Sequence, residues 1–135
     1  MKKKIISAVV INYVSLIFML VIFYAIQWLG LNKLFILVEI MLLLILITSF
    51  NSAFKKTGLW KLVHKPQKHL DERELQIIHK AIRHSYGIFV ILCLVLIMLF
   101  AVAEGKPIDM VLASSLIYLA HTLPAAVIAF SEEEI

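Results

Sequence analysis

Four stretches of the chain are apolar almost without interruption: Ile5 to Leu29, Leu34 to Phe50, Ser85 to Ala103 and Met110 to Phe130. Each is close to the length of about 20 residues that a helix needs to cross the hydrocarbon of a bilayer. None shows the alternation of a half-buried strand, and none has the polar face of a helix on a soluble core, so all four predict membrane-spanning helices. Between the first two stands only Gly-Leu-Asn-Lys, and between the last two only Glu-Gly-Lys-Pro-Ile-Asp. Links that short predict two tight hairpins of antiparallel helices. Because lipid cannot hydrogen-bond to a backbone, runs this long must be helical. The expected fold is therefore all-α, an integral membrane bundle of four transmembrane helices forming one domain over residues 1–135. The first run follows Met-Lys-Lys-Lys and so imitates a signal peptide. It is longer than a signal's apolar region and lacks a small-x-small cleavage site, which predicts an uncleaved first span.

Composition supports this reading: 62% of the 135 residues are hydrophobic, 16% are charged, and mean hydropathy is +0.98. A net charge of +4 and a pI near 9.3 would point to nucleic acid in a soluble chain. Here the basic residues sit at the ends of apolar runs, where they act as topology signals, and no nucleic-acid partner is expected. One side would carry Lys2, Lys3, Lys4, Lys55, Lys56, Lys61, Lys65, Lys68, Arg73, Lys80 and Arg83, against Lys33 and Lys106 on the other. This bias predicts a multi-pass protein of the cell inner (cytoplasmic) membrane with both termini and the central segment inside. The acidic tail Ser-Glu-Glu-Glu-Ile does not oppose it, since acidic residues contribute little to orientation. The lone Cys93 lies within an apolar run and excludes a disulfide framework.

Most of the charge lies between His64 and Tyr86. Asp71 followed three residues later by Glu74 has the form of a capping box, with Leu70 and Leu75 at the hydrophobic-staple positions, so a helix is expected to begin at Glu72. Glu72 and Glu74 favour its first turn through the helix dipole. Nothing interrupts the pattern from Glu72 to Ala103, which predicts a helix of about 32 residues and roughly 48 Å. The third span is thus expected to extend into the cytoplasm, and residues 51–84 form the cytoplasmic connector and helix. Upstream, Asn51 to His69 reads as a connector containing Gly58 and Pro66. Trp60, beside Lys55, Lys56 and Lys61, suits anchoring at the headgroup level.

The segment Leu-Asp-Glu-Arg-Glu-Leu-Gln-Ile-Ile-His-Lys-Ala, leading into an aromatic-bearing apolar run in a chain of four spans, resembles a group of uncharacterised small prokaryotic membrane proteins with an Asp-Glu-Arg motif before the third span. The matching residues are Asp71, Glu72 and Arg73, with Lys80 and Ala81 following. The resemblance implies membrane residence and no established activity.

Candidate chemistry lies in polar residues that lipid should exclude. Glu39 stands inside the second span, where a carboxyl costs a few kcal/mol unless partnered or protonated. In the fourth span Ser114, Tyr118, His121, Thr122 and Ala125 recur at spacings of three and four, which predicts one stripe facing the bundle interior. Asn12 and Ser15 form a smaller polar face on the first span that could join it. Such residues commonly hold helices together. The functional alternative makes Glu39 and His121 an intramembrane relay of a small oligomeric transporter or channel, with Pro124 opening a polar gap beside His121. His64, His69, His79 and His84 lack ligand spacing, since His79 and His84 point about 140° apart on a helix, and no metal or cofactor is expected. With no phosphate loop and no nucleophile beside a base, an enzyme is not expected either. The leading expectation is an accessory or regulatory membrane protein, resident in the lipid bilayer, whose cytoplasmic helix engages a protein partner or forms a homo-oligomer.

Overall fold

A computed structural model describes residues 2–30, 32, 34–104 and 108–131. Lys33, Lys106 and the acidic residues of the tail lie outside them. The chain forms α1 (Lys2–Leu29), α2 (Phe35–Phe50), α3 (Leu59–His64), α4 (Glu72–Leu99) and α5 (Met110–Phe130), with no strand among the described residues. Four of these helices are long and apolar enough to cross a membrane. Residues Met1–Gly58 and Leu59–Ile135 make two compact units.

In the first unit α1 packs along α2. The turn between them begins at Gly30, whose φ of 63° is readily available only to glycine. It is closed by Asn32, whose Oδ1 accepts from the Leu34 amide at 3.2 Å and whose carbonyl accepts from the Phe35 amide at 3.0 Å. Asn12 on α1 is fully buried with Val9, Ser15 and Leu16. Its Nδ2 donates to the Leu46 carbonyl and to Ser49 Oγ on α2, both at 3.0 Å. Ser49 Oγ donates in turn to Leu46 O at 3.0 Å, and Ser15 Oγ to Asn12 O at 2.8 Å. Asn12 is thus bound to the second span.

The second span also runs further than expected. Beyond Phe50 it continues as a π-helical turn, Asn51–Lys55, with the Lys56 amide donating to Asn51 O at 2.9 Å. The cause is that no helix breaker intervenes before Gly58. Thr57 Oγ1 satisfies the last carbonyls, Ala53 O at 2.7 Å and Phe54 O at 3.2 Å, and Gly58 at φ 79° then turns the chain. The rest of the expected connector is also largely structured, by α3 and a 3₁₀ turn at Gln67–His69.

In the second unit α4 and α5 pack together, and α3 lies on α5 and α4. The helix that starts at Glu72 is unbroken to Leu99 and goes on as a π turn, Phe100–Glu104. Asp109 caps α5, its Oδ1 accepting from the Leu112 amide at 2.9 Å. α5 passes through Pro124 without ending. Its buried face carries Ser115, Thr122, Ala125, Ala126 and Ala129 among larger residues, and such small side chains let helix backbones approach closely in a membrane. Around the upper part of α4, Ile88, Ile91, Leu94, Val95 and Met98 are at least half exposed. An apolar surface of that kind is stable facing lipid and unstable facing water.

The Asn12 latch makes a quantitative prediction. An interhelical hydrogen bond in a membrane contributes about 0.6 kcal/mol on average and about 1.7 at most. Asn12→Leu and Ser49→Ala should each destabilise the protein in that range in detergent unfolding titrations. Their double variant should lose less than the sum, because both remove one bond; strict additivity would show that the two side chains are not coupled.

Candidate functional site: a capped, charged helix and the polar side chains of the spans

The first three turns of α4 are built from the cap upward. Asp71 is extended (φ −78°, ψ 170°) and its Oδ1 accepts from the Glu74 amide at 2.7 Å, while Glu74 Oε2 accepts from the Asp71 amide at 3.3 Å. Both halves of the capping box are therefore formed. The same Oε2 receives Lys65 Nζ at 3.5 Å, tying the preceding turn to the helix start. With both side chains about a third exposed, 32% and 30%, this ion pair adds little stability. The two side-chain bonds of the cap do more.

Beyond the cap the helix is two-faced. Ile77, Ile78, Ala81 and Ser85 are buried, whereas Glu72, Arg73, Gln76, His79, Lys80 and Arg83 are exposed. Arg73, Gln76, Ile77 and Lys80, at positions i, i+3, i+4 and i+7, line a shallow cleft of about 340 Å³. The cleft carries two cationic groups over one buried isoleucine. Lys55, Lys56 and Lys61 are exposed as well, and Trp60 is half-buried.

The polar residues of the spans divide differently from the expected stripe. Thr122 and Ala125 are wholly buried and Tyr118 is half-buried, but Ser114 and His121 are exposed. Ser114 bonds only to its own helix, Oγ to Met110 O at 2.7 Å, and Thr122 Oγ1 donates to Tyr118 O at 3.0 Å. The buried line instead runs through Leu112, Ser115, Thr122, Ala126 and Ala129. It lies about 100° of helix rotation from Ser114 and His121, whereas Thr122 and Ala125 of the expected stripe are on the buried side. Polarity alone does not separate Ser114 from Thr122, because hydroxyls in a helix can bond to the carbonyl four residues back and need no partner helix. Glu39 is half-buried; its Oε1 is shielded from solvent and has no hydrogen-bond partner among the described residues.

His121 has a neighbour that sequence spacing did not reveal. Its ring centre lies 6.4 Å from that of His64, with planes parallel to within 3°. His64 also stacks on Trp60, with centres 4.0 Å apart and planes inclined by 27°. Each imidazole is held by its own helix: His64 Nδ1 is 2.9 Å from Trp60 O, and His121 Nδ1 is 2.9 Å from Ile117 O. A carbonyl only accepts, so both Nδ1 atoms carry hydrogen. No cluster of three or more His, Cys, Asp or Glu side chains placed to hold a metal ion occurs among the described residues.

No protein-family model, curated protein or solved structure matches this chain.

Removing the cap tests the helix start directly. Asp71→Ala deletes the acceptor for the Glu74 amide and should cost about 1 kcal/mol. Hydrogen exchange should accelerate over residues 72–78 and remain unchanged in α5. Glu74→Ala, which leaves the Asp71 acceptor in place, should have the smaller effect.

Proposed function

We propose that the protein is a small multi-pass subunit of the inner membrane, with both termini inside, that uses the first turns of α4 to engage a protein partner or a second copy of itself. The observation that carries this reading is the two-faced helix. Ile77, Ile78 and Ala81 are buried while Arg73, Gln76, His79, Lys80 and Arg83 are exposed on the same three turns. A rigid, capped helix with a fixed charged face can complement a partner without paying an ordering cost on binding. The excess of basic residues around this segment supports a cytoplasmic position for it. The resemblance carried by Asp71, Glu72 and Arg73 agrees with membrane residence and adds no activity.

Cross-linking in native membranes followed by purification tests the proposal. One stoichiometric adduct is expected, and the charge reversals Arg73→Glu and Lys80→Glu together should reduce it at least tenfold while leaving expression and helix content intact. Recovery of monomer alone from wild-type membranes, or an adduct indifferent to the reversals, would overturn it.

A second reading, a small transporter or channel, is favoured by Glu39, whose buried oxygen lacks a partner. An ionisable group inside a span that is left unsatisfied is expensive and is commonly retained for transport. In that case proteoliposomes should carry a pH-gradient-driven flux that Glu39→Gln abolishes without unfolding the protein. No flux in the wild type would remove this reading.

A further inference from the structure

The cleft on the first turns of α4 sets Arg73, Lys80 and the amide of Gln76 around the buried Ile77, with no acidic side chain among its described lining residues. Glu74 on the same turns serves the cap and Lys65. The chain carries a complement to these cations: Glu132, Glu133 and Glu134 follow Ser131, the residue that ends α5. α4 and α5 pack together across a short link and so run antiparallel, which puts the end of α5 and the start of α4 at the same end of the pair.

Helix lengths set the separation. At about 1.5 Å per residue, Ser131 stands about 32 Å from the start of α5, and Lys80, Gln76 and Arg73 stand about 36, 42 and 47 Å from the end of the π turn at Glu104. Ser131 is extended (φ −64°, ψ 152°), which carries the chain out of the helix. An extended chain covers about 3.5 Å per residue, so three residues beyond Ser131 suffice to pass Lys80 and reach Gln76, and the long side chain of Arg73 closes the remainder. From this placement we infer that residues 132–134 dock in the α4 cleft of the same chain, carboxylates against Arg73 and Lys80. Exposed ion pairs are individually weak, but a short tether holds the acidic segment at an effective concentration in the millimolar range. An anionic lipid headgroup suits the cleft less well: Arg73 lies about 20 Å along the helix from Tyr86, where the exposed surface turns apolar, and the headgroup layer is only about 5 to 8 Å deep on each side. Docked, the segment covers the surface proposed for a partner; that consequence rests on the partner reading, while the contact itself does not.

Disulfide trapping in the full-length protein, reconstituted in lipid vesicles, tests the contact. Cys93→Ala removes the native thiol. In that background Glu133→Cys is paired either with Gln76→Cys in the cleft or with His79→Cys, which is exposed on the same turns outside it. Under copper–phenanthroline oxidation the 76–133 pair should close an intramolecular disulfide at least tenfold faster than the 79–133 pair. Arg73→Glu with Lys80→Glu should slow it at least fivefold, and adding Glu132→Lys with Glu134→Lys should restore it. Equal rates for the two pairs, a rate indifferent to the charge reversals, or a disulfide-linked dimer as the main product would overturn the contact. Covering of the partner surface is read separately: Glu132→Gln, Glu133→Gln and Glu134→Gln together should raise the yield of the cross-linked partner adduct at least threefold. An adduct unchanged by the tail variant would overturn the covering role. A fast 76–133 disulfide with no adduct in either protein would remove the partner reading and leave the contact standing.

Discussion

Hydrocarbon offers a polar group no partner, and that constraint governs how this chain folds. Its four long apolar runs can cross a bilayer only with the backbone bonded to itself, hence as helices. The remaining polar groups must then be satisfied locally or across a helix pair. Ser114, Ser115 and Thr122 bond to carbonyls of their own helix. Asn12 reaches across to α2, at Leu46 O and Ser49 Oγ. At the helix ends, Asp71, Asp109 and Thr57 supply side-chain oxygens where the backbone runs out of partners. Glu39 Oε1 departs from this pattern, and for that reason it supports the transport reading.

Span existence was legible in the sequence because it depends on length and composition alone. The helix starts at Glu72 and Met110 agree with the residues expected. The Asp71 and Glu74 cap was also legible, since capping is a local bond three residues long. Less was legible where a choice between similar positions depends on a neighbour. Ser114 and Thr122 carry the same chemistry and lie within one stripe, yet only Thr122 is buried, and this is decided by where Ser115 and Ala126 allow close approach. Ser49 gave no warning of its bond to Asn12, because an isolated serine in an apolar run can equally bond to its own helix. The approach of His64 to His121 was likewise illegible, arising from a short helix, α3, in what composition marked as a basic connector. The extension of the second span to Lys55 follows from Thr57 and Gly58 acting together, an effect that hydropathy does not register.

α4 changes the character of its exposed surface along its length. Its first turns have a buried stripe and a charged face, and beyond Ser85 the exposed residues become Ile88, Ile91, Leu94, Val95 and Met98. A change of that kind within one uninterrupted helix is what the proposed cytoplasmic role of α4 requires: a water–lipid boundary near Tyr86, with the charged turns on the basic side. The partner-binding proposal depends on this boundary and on its orientation.

The most direct measurement is cysteine accessibility across the membrane. In a Cys93→Ala background, Gln76→Cys and Asn32→Cys are exposed to a membrane-impermeant maleimide, first in intact cells or spheroplasts and then in inverted vesicles. The expected result is labelling of Asn32→Cys only from outside and of Gln76→Cys only in inverted vesicles. Labelling of Gln76→Cys from outside would contradict a cytoplasmic α4 face and the interaction surface proposed for it.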